Sequence, residues 1–234
     1  MSSTTVAAIS GKITARLASI HIDPACNTFL NDCFRQFGIM VVSAEGDPVV
    51  LLNRQKFEAC VLRLYDPDAD RILKAVRNSP SNRRLVIYGI ARNTQEALRY
   101  SSYGINAVLD EPLDRQSVLK VVRATHLLVI HELRRYVRIP VVSQAEIDVG
   151  GQAPVIATTV EVSSGGISIR CLTQLPKSDA VRLILTLPGV EKLSVRAFVC
   201  WYRESDKIYG MRFDPSDERK LRVRGWIDQY LEIV

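Results

Sequence analysis

Arg134, Arg135 and Arg138 stand within five positions in "HELRRYVRIP", between an apolar helical pattern and a run that reads as a strand. A guanidinium holds carboxylate or phosphate oxygens through two parallel N–H bonds, and it also lies flat on a purine ring. On a helix Arg134 and Arg138 share a face and Arg135 points elsewhere. Arginines at a helix C-terminus also complement the helix dipole from solvent, which is the plainer explanation of such a cluster. A second group follows in "EVSSGG": Glu161-x-Ser163-x-x-Gly166. It offers a carboxylate acceptor, a hydroxyl, and two glycines, Gly165 and Gly166, able to take positive φ and admit a ligand close to the backbone. A small anionic ligand held by arginines and a polar turn is the chemistry these types can do.

Other chemistries find little support. The five cysteines, Cys26, Cys33, Cys60, Cys171 and Cys200, are scattered among apolar neighbours with no CxxC pair, so they read as buried thiols. The histidines, His21, His126 and His131, do not stand at metal-ligand spacing, and no metal is expected. There is no Ser/His/Asp set, no phosphate-cradling P-loop and no carboxylate–metal constellation, so the chain reads as a non-enzyme with no cofactor. The net charge of +6 divides evenly, with 16 basic and 12 acidic residues up to His126 and 15 and 13 beyond it. Nucleic-acid binding would call for a concentrated basic stripe with exposed aromatics. No apolar run reaches membrane-spanning length, and the first residues lack the basic start and apolar core of a leader. A cytoplasmic protein is expected.

The elements that must position these residues fall into two halves. Before residue 126, apolar strands such as "ARLASIHI", "IMVVSA", "FEACVLRL", "RRLVIYGI" and "INAVL" alternate with helical stretches. Asp23-Pro24 starts the first helix, Gly38 follows its end, and Asn93 with Glu96 forms a capping box. Five buried strands separated by helices imply a parallel sheet covered on both faces, a doubly wound α/β domain. From Asp114 to about Arg134 there is no Gly or Pro, and the apolar residues are too many for one stripe. "LLVI", residues 127–130, is expected to bury against the next domain or a second subunit. After Arg138 six β-like runs with frequent turn signals predict an antiparallel barrel or sandwich. The first is "RIPVVSQAEIDV", ending at Gly150-Gly151. "DPSDERKLRVRGWIDQYLEIV" closes the chain as a helix capped at Ser216. Strand and helix periodicity place both Trp201 and Trp226 inside. The domains are thus 1–126, a connecting helix and arginine linker at 127–138, and 139–234.

Residues 14–126, by their βα pattern and the ending "GINAVLDEPLDRQSVLKVVRA", resemble the receiver domain of bacterial two-component response regulators. That family holds Mg²⁺ on an acidic pair after the first strand and carries phosphate on an Asp ending the third. The resemblance sets His21 and Ile22 at the acidic pair, Arg63 at the phosphoacceptor, Gly89 at the hydroxyl residue and Glu111 at the lysine. Mg²⁺ and phosphoryl transfer both need carboxylates, which an arginine cannot supply. A degenerate receiver is expected, kept for contacts with a protein partner.

Residues 133–234, by the order RxxxR, Glu161-x-Ser163-x-x-Gly166, "AFVCWYR" and "YGMRF", resemble the PilZ domain. That bacterial module receives the second messenger cyclic di-GMP on a six-stranded barrel. The resemblance implies a ligand site formed by Arg134, Arg135, Arg138, Glu161, Ser163 and Gly166. Glu161 departs from the usual Asp or Asn and carries its head about 1.5 Å further out. The implied function is a non-enzymatic cyclic di-GMP effector that relays binding to a protein partner. A second reading is a PilZ-like adaptor that binds no nucleotide, and a homodimer through the connecting helix is one way to cover residues 127–130.

Overall fold

The computed structural model describes residues 14–150, 153–175 and 180–233, in two compact units, one of Thr14–Leu133 and one that takes up the chain at Arg134. The N-terminal stretch read for a leader and the turn residue Gly151 lie outside the described residues. No described helix is long and apolar enough to cross a membrane.

The first unit has strands β1 (Ala15–Ile20), β2 (Ile39–Ser43), β3 (Ala59–Arg63), β4 (Val86–Ala91) and β5 (Ala107–Asp110). Its helices are α1 (Pro24–Arg35), α2 (Pro48–Arg54), α3 (Ala69–Asn78), α4 (Thr94–Arg99) and α5 (Arg115–Tyr136). The strands are parallel in the order β2-β1-β3-β4-β5, the doubly wound order of receiver-type folds. Alternation along each strand feeds two cores. Leu17, Val61 and Tyr88 face one side with Leu30 and Phe34 of α1, while Ile20, Cys60 and Ile87 face the other with Ile72 and Leu73 of α3.

Local signals account for the helix starts. Asp23 accepts from Cys26 N at 2.9 Å with Pro24 in the first turn, and Gly38 adopts φ 68° past the end. Asn93 accepts from Glu96 N at 3.0 Å, worth about 1 kcal/mol. Glu96 reaches back to the N–H of Arg92, one residue before the cap.

The segment 127–130 divides between two faces of α5, and only Val129 departs from its expectation. Val118, Val122, Thr125 and Val129 form one buried stripe of α5, so Val129 joins the core of its own unit and needs no second subunit. Leu127 and Leu128 lie on the opposite face and are exposed. Apolar count alone did not separate these faces; the helical phase does.

The second unit has strands β6 (Ile139–Pro140), β7 (Gln144–Asp148), β8 (Val155–Ser163), β9 (Gly166–Arg170), β10 (Ala180–Leu185), β11 (Leu193–Arg203) and β12 (Ile208–Phe213), then α6 (Lys220–Ile233). Six of them close an antiparallel barrel in the order β8-β7-β10-β11-β12-β9 and back to β8. The run predicted as one strand from Arg138 is two. β6 pairs with the end of β8, β7 with its beginning, and the step between them turns on Thr159. The Thr159 hydroxyl accepts from Ser143 N at 2.9 Å and donates to Val141 O at 2.5 Å. α6 starts at Lys220 rather than after Ser216, because Asp214 and Asp217 hold the N–H groups of Ser216 and Arg219 in turns first.

Candidate functional site

The pairing of β6 with β8 positions the arginine linker. Ile139 lies opposite Val162 and Pro140 opposite Glu161, and the same antiparallel register carried back one residue sets Arg138 level with Ser163. Arg138 Nη1 donates to Glu161 Oε1 at 3.1 Å, and Ser168 Oγ donates to the same oxygen at 3.1 Å. Glu161 is thus engaged by Arg138 on one side and by its cross-strand neighbour on the other.

The β8–β9 hairpin turns at Ser164 and Gly165. Ser163 Oγ donates to Gly166 O at 3.0 Å, and Phe213 N donates to Gly165 O at 2.9 Å, tying the turn to β12. Neither Gly165 nor Gly166 adopts positive φ, which corrects the role given them from sequence. Gly166 is required for another reason. A Cβ there would stand 2.1 Å from Met211 O, a backbone atom that cannot give way. Gly165 has open space where a side chain would be.

Against this hairpin lies a cavity of about 360 Å³, within the size range of small-molecule sites. Arg135, Arg138, Ser163, Ser168, Trp201 and Arg212 are among its walls. Arg134 is not. Its Nε stands 3.0 Å from Asp228 Oδ1 on α6, and its carbonyl accepts from Ser164 Oγ at 3.4 Å. Arg134 and Arg138 do not share a helical face, because α5 ends at Tyr136; Arg135 and Arg138 line the cavity, and Arg134 pairs with α6. Of the six candidates, the structure gathers Arg135, Arg138, Ser163 and Gly166 on the cavity wall, with Glu161 just behind Arg138.

Trp201 is the residue that sequence periodicity missed. It is 45 % exposed and lines the cavity, whereas Trp226 is buried as expected and donates to Pro188 O at 2.9 Å. The register of β11 against β12 shifts between Val199 and Trp201. One extra residue, Cys200, reverses the inward–outward alternation and turns the indole out. Its ring lies along Gly210, where a Cβ would come within 1.9 Å of it. Gly210 directly opposite on β12 was the signal available in "YGMRF".

The other expected site lies at the carboxyl edge of the parallel sheet. Arg63, at the end of β3, donates to Asp23 Oδ2 at 2.6 Å and lies 3.7 Å from Glu111 Oε1. Its guanidinium holds the Asp23 carboxyl below the usual range. Tyr65 donates to Glu111 Oε2 at 2.7 Å, and Arg92 stacks 3.5 Å above the Tyr65 ring. Gly89 lies under Leu64, whose side chain a Cβ would meet at 2.7 Å. His21 adopts φ 53° and pairs with Asp66 at 3.1 Å. Folding thus brings His21, Asp66 and Asp68 within 4.8 Å of one another, a group of metal-capable atoms that chain spacing hides; Asp68 is also paired with Arg71.

Residues 132–232 match the family model of the PilZ domain. No match is found among curated proteins. Among solved structures, likenesses cover about half of this chain. The receiver domain of the sensor histidine kinase PA1611 from Pseudomonas aeruginosa PAO1 is 18% identical, with 48% of this chain and 98% of that chain covered and a TM-score of 0.42. The chemotaxis response regulator CheY4 of Vibrio cholerae is 15% identical, with 47% and 98% covered and a TM-score of 0.42. A response regulator from Chloroflexus aurantiacus J-10-fl is 19% identical, with 49% and 98% covered and a TM-score of 0.43. The C-terminal unit is a PilZ domain, and the strand order of the N-terminal unit gives it the receiver-like fold.

Proposed function

We propose that this chain is a non-enzymatic effector that binds cyclic di-GMP in the barrel cavity and relays binding to a protein partner through its receiver-like unit. The observation that carries the reading is the cavity, where three arginines (Arg135, Arg138 and Arg212), three serines and an exposed indole converge. A cyclic dinucleotide presents two phosphates and two guanines. Arginine serves both, by its bidentate fork and by stacking, and an indole supplies a flat apolar surface for a base. The receiver-like unit supports a relay without phosphoryl transfer, since Arg63 occupies the end of β3 and is committed to carboxylates. Its exposed Leu127 and Leu128 are the part of α5 available to a partner protein or a second copy.

Titration of the full chain with cyclic di-GMP, followed by heat and by tryptophan fluorescence, tests this. A Kd of about 10 µM or lower is expected, with Arg138→Ala weakening it at least about tenfold. Trp201→Phe removes the fluorescence response while Trp226 still emits. No heat and no quenching at about 1 mM ligand overturns the reading. That result favours an adaptor that binds no nucleotide, to which the Arg138–Glu161 pair lends some support, because Arg138 already has a carboxylate partner.

A further inference from the structure

We infer that Arg134 is a positioning residue, clamped to α6 by Asp228, and that Arg135 takes the cavity-facing place beside Arg138. The inference rests on the cavity being a nucleotide site. Arg134 is absent from the cavity wall, while Arg135 and Arg138 form part of it. Arg134 Nε and Asp228 Oδ1 stand 3.0 Å apart, and both atoms are shielded from solvent. Neither makes a hydrogen bond among the described residues, so the attraction between them is what offsets the desolvation of each.

The linker is fixed a second time on that residue, through Ser164 Oγ donating to Arg134 O. Arg134 belongs to the last turn of α5, which ends at Tyr136. Successive helical residues project about 100° apart. With Arg134 held on α6, Arg135 is rotated onto a different face, and that face is the cavity. α6 itself is anchored by buried Val223, Trp226 and Ile227, so Asp228 sits on a firm support. The clamp therefore sets the rotation of the linker, and through it which guanidinium meets the ligand.

Charge exchange separates clamping from ligand contact. Cyclic di-GMP is titrated into the wild-type chain, Arg134→Asp, Asp228→Arg, and the double variant carrying both, each checked by thermal melting. Each single change is expected to weaken binding at least about tenfold, and the double variant is expected to return to within about threefold of wild type. A carboxylate at 134 that faced the ligand phosphates would be harmful whatever stood at 228. A double variant as weak as Arg134→Asp, in a chain that melts as wild type does, overturns the clamp and makes Arg134 a ligand contact. Asp228→Asn guards against misfolding of the exchanged pair: binding weakened by about threefold or more supports the clamp, and unchanged or tighter binding overturns it. If the wild type itself takes up no nucleotide, the site reading fails and this inference with it; wild-type binding without rescue sinks the clamp alone.

Discussion

Arg63 and the pair Arg135–Arg138 are the same chemistry in two different settings. Arg63 ends a central strand with Asp23 at 2.6 Å and Glu111 at 3.7 Å, its charge answered by side chains of its own unit. Arg135 and Arg138 stand on the wall of a cavity of about 360 Å³ beside hydroxyls and an indole. An arginine shared between two carboxylates holds a structure together, whereas Arg138, with Glu161 alone at 3.1 Å, and Arg135 stand on a wall with open space that a ligand can enter. The difference lies in what surrounds the guanidinium, which residue type alone does not tell.

The glycines give that comparison its strongest test. Gly166→Ala drives a Cβ into the backbone of β12, and about 3 kcal/mol of barrel stability is expected to be lost, with the cavity deformed. Gly89→Ala in the other unit meets the side chain of Leu64 and no backbone atom, and should cost less, about 1 kcal/mol. Denaturant unfolding of both variants decides; equal costs would break the contrast between a rigid cavity wall and a yielding filled site.

A committed arginine also exists within the barrel unit. Arg219 Nε and Nη2 bind Asp217 at 2.8 and 2.9 Å, and Asp217 accepts further from Arg196 N at 2.7 Å. These donors, Arg219 foremost, hold the Asp217 carboxyl well below its ordinary value. A depressed folded-state pKa adds stability above the unfolded value, and that stability is lost as pH falls through the folded one. Asp217→Asn should therefore melt roughly 3 °C below wild type at neutral pH, the gap closing below the ordinary carboxylate range. A gap that persists in strong acid would assign the effect to packing.

The smallest effect belongs to Arg63. Arg63→Ala should let the Asp23 carboxyl rise toward its ordinary value, leaving the contribution of its Cys26 hydrogen bond to α1. An NMR titration of Asp23 reads this directly. An unmoved titration would mean that the helix cap, and not Arg63, controls that carboxylate.

Much of the molecule was legible along the chain. Asp23-Pro24, Gly38 and Asn93 mark helix ends through contacts made within a few residues. Strand alternation in β1, β3 and β4 divides their residues between the two cores as read. The misreadings share a cause. Trp201 was assigned inward because alternation was carried through Cys200, where the register shifts. Gly166 was explained by backbone freedom, although its neighbour Met211 is far along the sequence. Helical spacing groups Arg134 with Arg138 on one face, whereas α5 ends at Tyr136 and Arg134 pairs with a carboxylate nearly a hundred residues away.

Taken alone, the sequence determined the α/β and barrel halves, the helix caps, the loss of carboxylate at the end of β3, and the arginine, glutamate and serine types that meet near the β8–β9 hairpin. These follow from local dihedral preference, from periodicity and from ordered motifs, all of which act over short separations. Tertiary structure decided which arginine faces the cavity, that the indole of Trp201 lines it, that Gly166 lies under the backbone of β12, and that Arg63 is committed to Asp23 and Glu111. Those outcomes depend on register, on a bulge and on partners distant in sequence, so they are fixed only when the barrel and the sheet have each closed.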